Sequence, residues 1–92
     1  MIRHIVMWKF KETEDPSEFL SGLAALEGQI PQIRHMELHP AAVADSAYDW
    51  ILISDFDSLE DVEIYKKDPR HVAVSSLCKR IRTARSAFDF EI

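Results

Sequence analysis

Ile2-Arg3-His4-Ile5-Val6-Met7-Trp8-Lys9-Phe10-Lys11, residues 2–11, decides how the rest of the chain is read. Its β-branched and aromatic residues mark a strand. Side chains alternate between the two sides of a strand, so His4, Val6, Trp8 and Phe10 point one way and Ile5 and Met7 the other, with Lys9 and Lys11 at the fraying end. A strand apolar on both faces needs two covers. Tyr48 to Phe56 repeats the pattern. There Trp50, Leu52 and Phe56 share one face with Ser54, while Ile51 and Ile53 share the other with Asp55.

Helices supply one of the covers. Asp15-Pro16 opens the first: Asp15 suits the N-cap, Pro16 the first helical position, and Glu18 the reciprocal acid of a capping box. Phe19, Leu20, Leu23, Leu26 and Ile30 follow at helical spacing, and Gly28 and Pro31 mark the end. Ile33 to His39 reads as a weaker strand, and Pro40 to Ala47 as a linker. Ser58-Leu59-Glu60-Asp61 opens a second helix that continues through Val62 and Tyr65. Asp68-Pro69 interrupts it and recaps a new turn, after which His71, Val74, Leu77, Cys78 and Ile81 form an apolar stripe. Arg85 to Ile92 closes the chain as a strand, with Ala87, Phe88 and Phe90 as its apolar members.

The order β-α-β-β-α-β is the split βαβ, or ferredoxin-like, arrangement. The expected fold class is α+β, a four-stranded antiparallel sheet with helices on one face. Ile5, Met7, Ile51 and Ile53 then fall on the bare face. An apolar sheet face of that size is a liability in a monomer, and packing two such sheets by two-fold symmetry into a dimeric α/β barrel removes it.

Composition agrees with a small globular domain. The chain has 92 residues, which suits a single domain over 1–92. A domain this small buries only about 60–65% of the surface its unfolded chain exposes, and others of its size add disulfides, metals or a partner subunit. The one cysteine, Cys78, allows no intrachain disulfide. A net charge of −5 argues against non-specific nucleic-acid or anionic-membrane binding. No apolar run is long enough for a membrane span, and the N-terminal stretch lacks a signal-peptide pattern, so the expected compartment is the cytoplasm. The two glycines, Gly22 and Gly28, form no phosphate loop, and there is no Gly-x-Ser-x-Gly turn.

Four segments together resemble one family. They are Met1 to Lys11; Tyr48-Asp49 with Phe56-Asp57-Ser58; Asp61 and Tyr65 with Asp68-Pro69-Arg70-His71-Val72; and Phe88-Asp89-Phe90-Glu91. The chain is similar, over essentially its whole length, to the stress-responsive A/B barrel domain (Dabb) family of the dimeric α/β-barrel superfamily. The resemblance implies a ferredoxin-like protomer whose sheet packs on its twin. It also implies a candidate site. One plant member is a polyketide cyclase that closes a linear polyketide by an aldol-type step, using one histidine on the first strand and one in a His-Pro-x-His segment. Those positions are His4 and His71 here, with Tyr65 at the position of a pocket tyrosine. A second pocket tyrosine falls near Leu23, and the first histidine of the segment is Asp68.

The residues themselves carry that chemistry in outline. His4 shares its face with Val6 and Trp8, and His71 shares a helix stripe with Val74 and Cys78, so the two converge at one end of the sheet–helix layer. An imidazole with pKa near 6.5 serves as a general base at neutral pH. Tyr65 can donate a hydrogen bond to a substrate oxygen, and Val6, Trp8, Trp50 and Leu52 can line an apolar ligand pocket. Proton abstraction beside a carbonyl needs no cofactor, and none is expected. No metal site built from side chains is expected either. His35 and His39 share a strand face but stand about 13 Å apart along it, and Asp45, Asp49, Asp55 and Asp57 read as solvated carboxylates. Cys78 reads as a buried helix residue, and the basic run Lys79, Arg80, Arg82 and Arg85 as a solvated helix end.

Three functions fit. The first is a homodimer with a small hydrophobic pocket per subunit that binds, cyclises or isomerises a small carbonyl compound by histidine acid/base chemistry. The second is a non-enzymatic stress-response or interaction dimer with structural histidines. The third is a cofactor-free monooxygenase or haem-handling relative, which requires an enlarged pocket or an axial ligand, with His71 as the candidate.

Overall fold

A computed structural model describes residues 1–92. The first strand, β1 (Ile2–Phe10), is followed by α1 (Ser17–Ala25), a 3₁₀ turn at Leu26–Gly28, β2 (His35–Pro40) and β3 (Trp50–Phe56). Then come α2 (Leu59–Lys67), α3 (Pro69–Ile81) and β4 (Arg82–Glu91). The strands form one antiparallel sheet in the order β2-β3-β1-β4, the ferredoxin-like order.

Local signals explain the helix boundaries. The Asp15 carboxylate accepts the Ser17 backbone N–H at 2.9 Å, and the Leu20 N–H reaches the Pro16 carbonyl. Pro16 is therefore the N-cap, one position later than expected, and no side chain caps α1; Asp15 instead holds the turn that leads into it, and no hydrogen bond from Glu18 completes a capping box. The Ser58 hydroxyl accepts the Asp61 N–H at the start of α2. Asp68 ends α2 and caps α3, its carboxylate taking the Arg70 N–H at 2.9 Å, with Pro69 at the first helical position. Two guanidinium hydrogen bonds from Arg70 hold the Asp68 carboxyl well down, at a pKa of about 2.

Three strand starts differ from expectation. Ile33 is buried but belongs to the turn before β2, where its N–H bonds the Ile30 carbonyl. Tyr48 and Asp49 precede β3; the Tyr48 hydroxyl meets Ser86 at 2.6 Å. β4 begins at Arg82 rather than Arg85, because the backbone turns extended at Arg82 (φ −90°, ψ 150°) directly after α3 and pairs it with Phe10. No glycine or proline marks that switch, so the basic run looks helical in sequence.

The two sheet faces part as the alternation implies. His4, Val6, Trp8, Phe10, Leu52 and Phe56 are buried against the helices. Trp8 packs edge-on to Phe19 of α1 with ring centres 5.1 Å apart, a favourable aromatic geometry. Gly22 lets α1 approach α3: a Cβ there would stand 3.2 Å from Val74 Cγ2. On the other face Ile5 sits directly between Ile53 and Phe88, and Met7 between Ile51 and Ser86. Ile5, Met7, Ile51 and Ile53 are half-exposed there, and Phe88 is 67% exposed.

That face also revises the reading of the acidic residues. Asp55 is buried and takes a two-pronged hydrogen bond from Arg3 at 2.8 and 3.0 Å, which holds its pKa below the usual carboxylate range. Asp49 bonds Lys9 and the Phe10 N–H, and Asp57 bonds Arg34. None of these three is simply solvated. His35 and His39 each donate to Glu37, which stands between them, and no three metal-donor side chains converge anywhere. No helix is long and apolar enough to cross a membrane.

Candidate functional site

A cavity of about 40 Å³ lies between the helix-facing side of the sheet and the helices above it. It holds a water or a few ligand atoms and is too small for a macrocycle such as haem. The strands contribute His4, Val6, Trp8 and Leu52; α1 contributes Phe19 and Leu23; α2 contributes Tyr65; and α3 contributes His71, Val74, Ser75 and Cys78. Arg82 and Arg85 of β4 complete it. The structure thus brings six of the seven expected site residues together. Trp50 stays outside. It is the first residue of β3, paired with Pro40 of the edge strand, and it lines an outer cleft with Met7, Tyr48 and Ile51.

His4 is 2% exposed. Its Nδ1 meets the carboxylate of Asp89, which stands directly opposite it across the β1–β4 pair. A carboxylate only accepts, so the ring proton sits on Nδ1 and Nε2 carries the lone pair. Burial pushes the His4 pKa down, partly offset by Asp89. His71 Nδ1 donates to the Lys66 carbonyl at 3.1 Å, so its Nε2 is likewise the free lone pair. Burial lowers its pKa too. Both rings are therefore poised as neutral bases.

Tyr65 links them. Its ring centre is 6.3 Å from that of His4 and 4.4 Å from that of His71. The side chain is 1% exposed, and burial pushes the phenol pKa up, so it stays a neutral donor. Neither the Tyr65 hydroxyl nor His4 Nε2 bonds a protein group, yet no buried side-chain N or O atom is sealed off without a partner. Both atoms therefore open into the cavity they line.

Two cavity residues, Arg82 and Arg85, and one behind the cavity, Asp89, escaped sequence reasoning in this role. Asp89 orients His4 across 85 positions of chain; only the strand register shows it, although Asp89 belongs to the closing family segment. Arg82 and Arg85 stand on β4 rather than at a helix end and line the cavity, with Arg85 still exposed to solvent. Cys78 is buried as expected, and its cationic neighbour is Arg82, one turn further on; burial still dominates and raises the thiol pKa.

The family model for the stress responsive A/B barrel domain matches residues 2–92. The chain belongs to that family. Among solved structures, this Dabb chain is similar to a dimeric protein of unknown function with a ferredoxin-like fold from Bacteroides fragilis, at 28% identity. The match covers 99% of this chain and 95% of that one, with a TM-score of 0.82. A Dabb family protein from Mesorhizobium loti is 20% identical over 99% of this chain and 95% of its own, TM-score 0.83. A hydroxynitrile lyase from Passiflora edulis is 15% identical over 99% and 92%, TM-score 0.89. The last two likenesses concern the fold alone. No protein of curated function matches the sequence.

Proposed function

We propose that this Dabb chain is a homodimer with one small ligand site per subunit, and that the site binds a small carbonyl compound and moves a proton beside its carbonyl. The observation that carries this reading is the pair of unpartnered polar atoms in one cavity, the Tyr65 hydroxyl and His4 Nε2. Tyr65 donates to the carbonyl oxygen. His4, oriented through Nδ1 by Asp89, takes a proton from the adjacent carbon, and the negative charge moves onto the oxygen that Tyr65 holds. His71 Nε2 is the second base, placed to return or relay a proton. Val6, Trp8 and Leu52 supply the apolar wall. The hydroxynitrile lyase among the neighbours supports an enzyme built on this fold.

Dimerisation is proposed through the open sheet face of Ile5, Met7, Ile51 and Ile53; Phe88 and Phe90, exposed on the same face, extend the proposed contact. The Bacteroides fragilis neighbour, described as dimeric, supports it.

The small volume favours one competing account, a non-enzymatic dimer whose histidines are structural. Proton exchange separates the two. The rate at which butanone exchanges its α-hydrogens in D₂O is followed by proton NMR with and without protein. The proposal expects acceleration that His4→Ala and Tyr65→Phe abolish while both variants remain folded and dimeric. No acceleration, with His4→Ala instead losing stability, selects the structural account.

A further inference from the structure

The lining of the cavity includes two arginines, Arg82 and Arg85, and no carboxylate; the nearest one, Asp89, stands behind His4. This is unusual for a chain with 16 acidic and 11 basic side chains. Elsewhere its arginines find acids. Arg3 holds Asp55 at 2.8 Å, Arg34 holds Asp57 at 2.7 Å, and Arg70 holds Asp68 at 2.7 Å. Even Arg80, which forms no ion pair, lines a separate cleft with Glu14, Asp15 and Glu18. Arg82 and Arg85 make no ion pair, and the nearest acid on their strand face, Asp89, is already engaged by His4.

Resolving the strand start explains their position. Because β4 begins at Arg82, Arg85 lies opposite Trp8 on the helix-facing side, and Arg82 lies opposite Phe10 beside a break in register at Lys9/Phe10. Arg85 acts on the site electrostatically: its charge favours the neutral forms of both histidines and draws down the Tyr65 phenol against its burial. Arg82 and Arg85 line the same cavity as the two imidazoles and the phenol.

Guanidinium groups match the planar, two-oxygen geometry of a carboxylate. We infer that the compound this site takes is a small oxo acid, its carboxylate held by Arg82 and Arg85 and its carbonyl by Tyr65. The inference rests on the proposed carbonyl site and narrows its ligand class. It also assigns the arginines a specific part: they bind the non-reacting end of the ligand and so fix which carbon faces His4. A short oxo acid is the form that fits, because its two groups lie within a few atoms of each other, so that the carbonyl end enters the cavity while the carboxylate stays at the arginines that line it.

The test is an NMR titration of the full ¹⁵N-labelled chain with acetoacetate and with pentane-2,4-dione, its neutral near-isostere. Both compounds are expected to shift the signals of residues 4, 65 and 71. Acetoacetate is expected to bind about tenfold more tightly at low salt, the scale of one charge-assisted contact at a partly exposed site. Arg82→Gln/Arg85→Gln should erase that preference and Arg80→Gln should keep it; each variant's spectrum reports its own fold. Equal binding of the two compounds, or a preference that survives the double variant, overturns the oxo-acid assignment and leaves the carbonyl site standing. No shift at residues 4, 65 and 71 with either compound overturns both. Inorganic phosphate that displaces acetoacetate at equal concentration overturns the carboxylate in favour of a phosphate ligand.

Discussion

Phe88→Ala tests the proposed interface most directly. Phe88 lies opposite Ile5 on the open face and is 67% exposed in the protomer. A buried phenylalanine covers about 150–250 Å². Two-thirds of that, roughly 100–170 Å², would leave water when the face is covered, which at about 25 cal/mol per Å² stabilises the dimer by about 2.5–4 kcal/mol per protomer. Alanine keeps the Cβ, so the truncation costs about 2–3 kcal/mol per protomer and about 4–6 kcal/mol in a two-fold dimer. The dimer Kd should then rise by roughly 10³ to 10⁴. Sedimentation velocity over a wide concentration range measures it. The protomer itself should be little affected, because the ring packs in no core, and circular dichroism of the dissociated variant checks this. A wild-type chain that stays monomeric at every concentration, or a variant with unchanged affinity, refutes the interface.

Ile53→Asp places a charge at the centre of the same face and should give a folded monomer by light scattering; an intact dimer would place the contact elsewhere. Tyr65→Phe removes a hydroxyl with no protein partner, so its stability should stay within about 0.5 kcal/mol of wild type in urea melts while ketone exchange is lost; a large stability loss would show that the hydroxyl has a structural partner. Ser58→Ala removes the α2 cap and should cost about 1 kcal/mol, or about 4–8 °C in Tm, by calorimetry. His4 and His71 both have native pKa values below that of the unfolded chain, about 6.5, so the unfolded state binds protons first as pH falls. Their contribution to stability is therefore complete above about pH 7 and declines below about 6.5; a urea midpoint that does not drop between pH 7.5 and 5.5 contradicts their burial as neutral rings.

Much of this molecule is legible along the chain because its signals are local. Alternation in residues 2–10 and 50–56 marks strands with two apolar faces, and that pattern alone demands a second cover. Ser58 and Asp68 cap helices within three residues of themselves, and Asp15 shapes the turn into α1, a range at which sequence spacing and geometry are nearly the same thing. The motif around His71 and the strand face of His4 place the two rings in one layer. What escapes is what depends on register and on the filling of space. Asp89 meets His4 only because β1 and β4 pair with those residues opposite, and nothing within 80 positions of His4 encodes that alignment. Arg82 and Arg85 change from a helix end to a cavity wall because the chain turns extended three residues earlier than its composition suggests. Trp50 shares a strand face with Leu52 yet lies outside the cavity, at the first position of β3 beside the outer cleft. Periodicity assigns a side chain to a face. Only the packing of distant elements determines whether that face is filled, bare or hollow at a given point, and here the hollow falls where His4, Tyr65, His71 and two unpaired arginines meet.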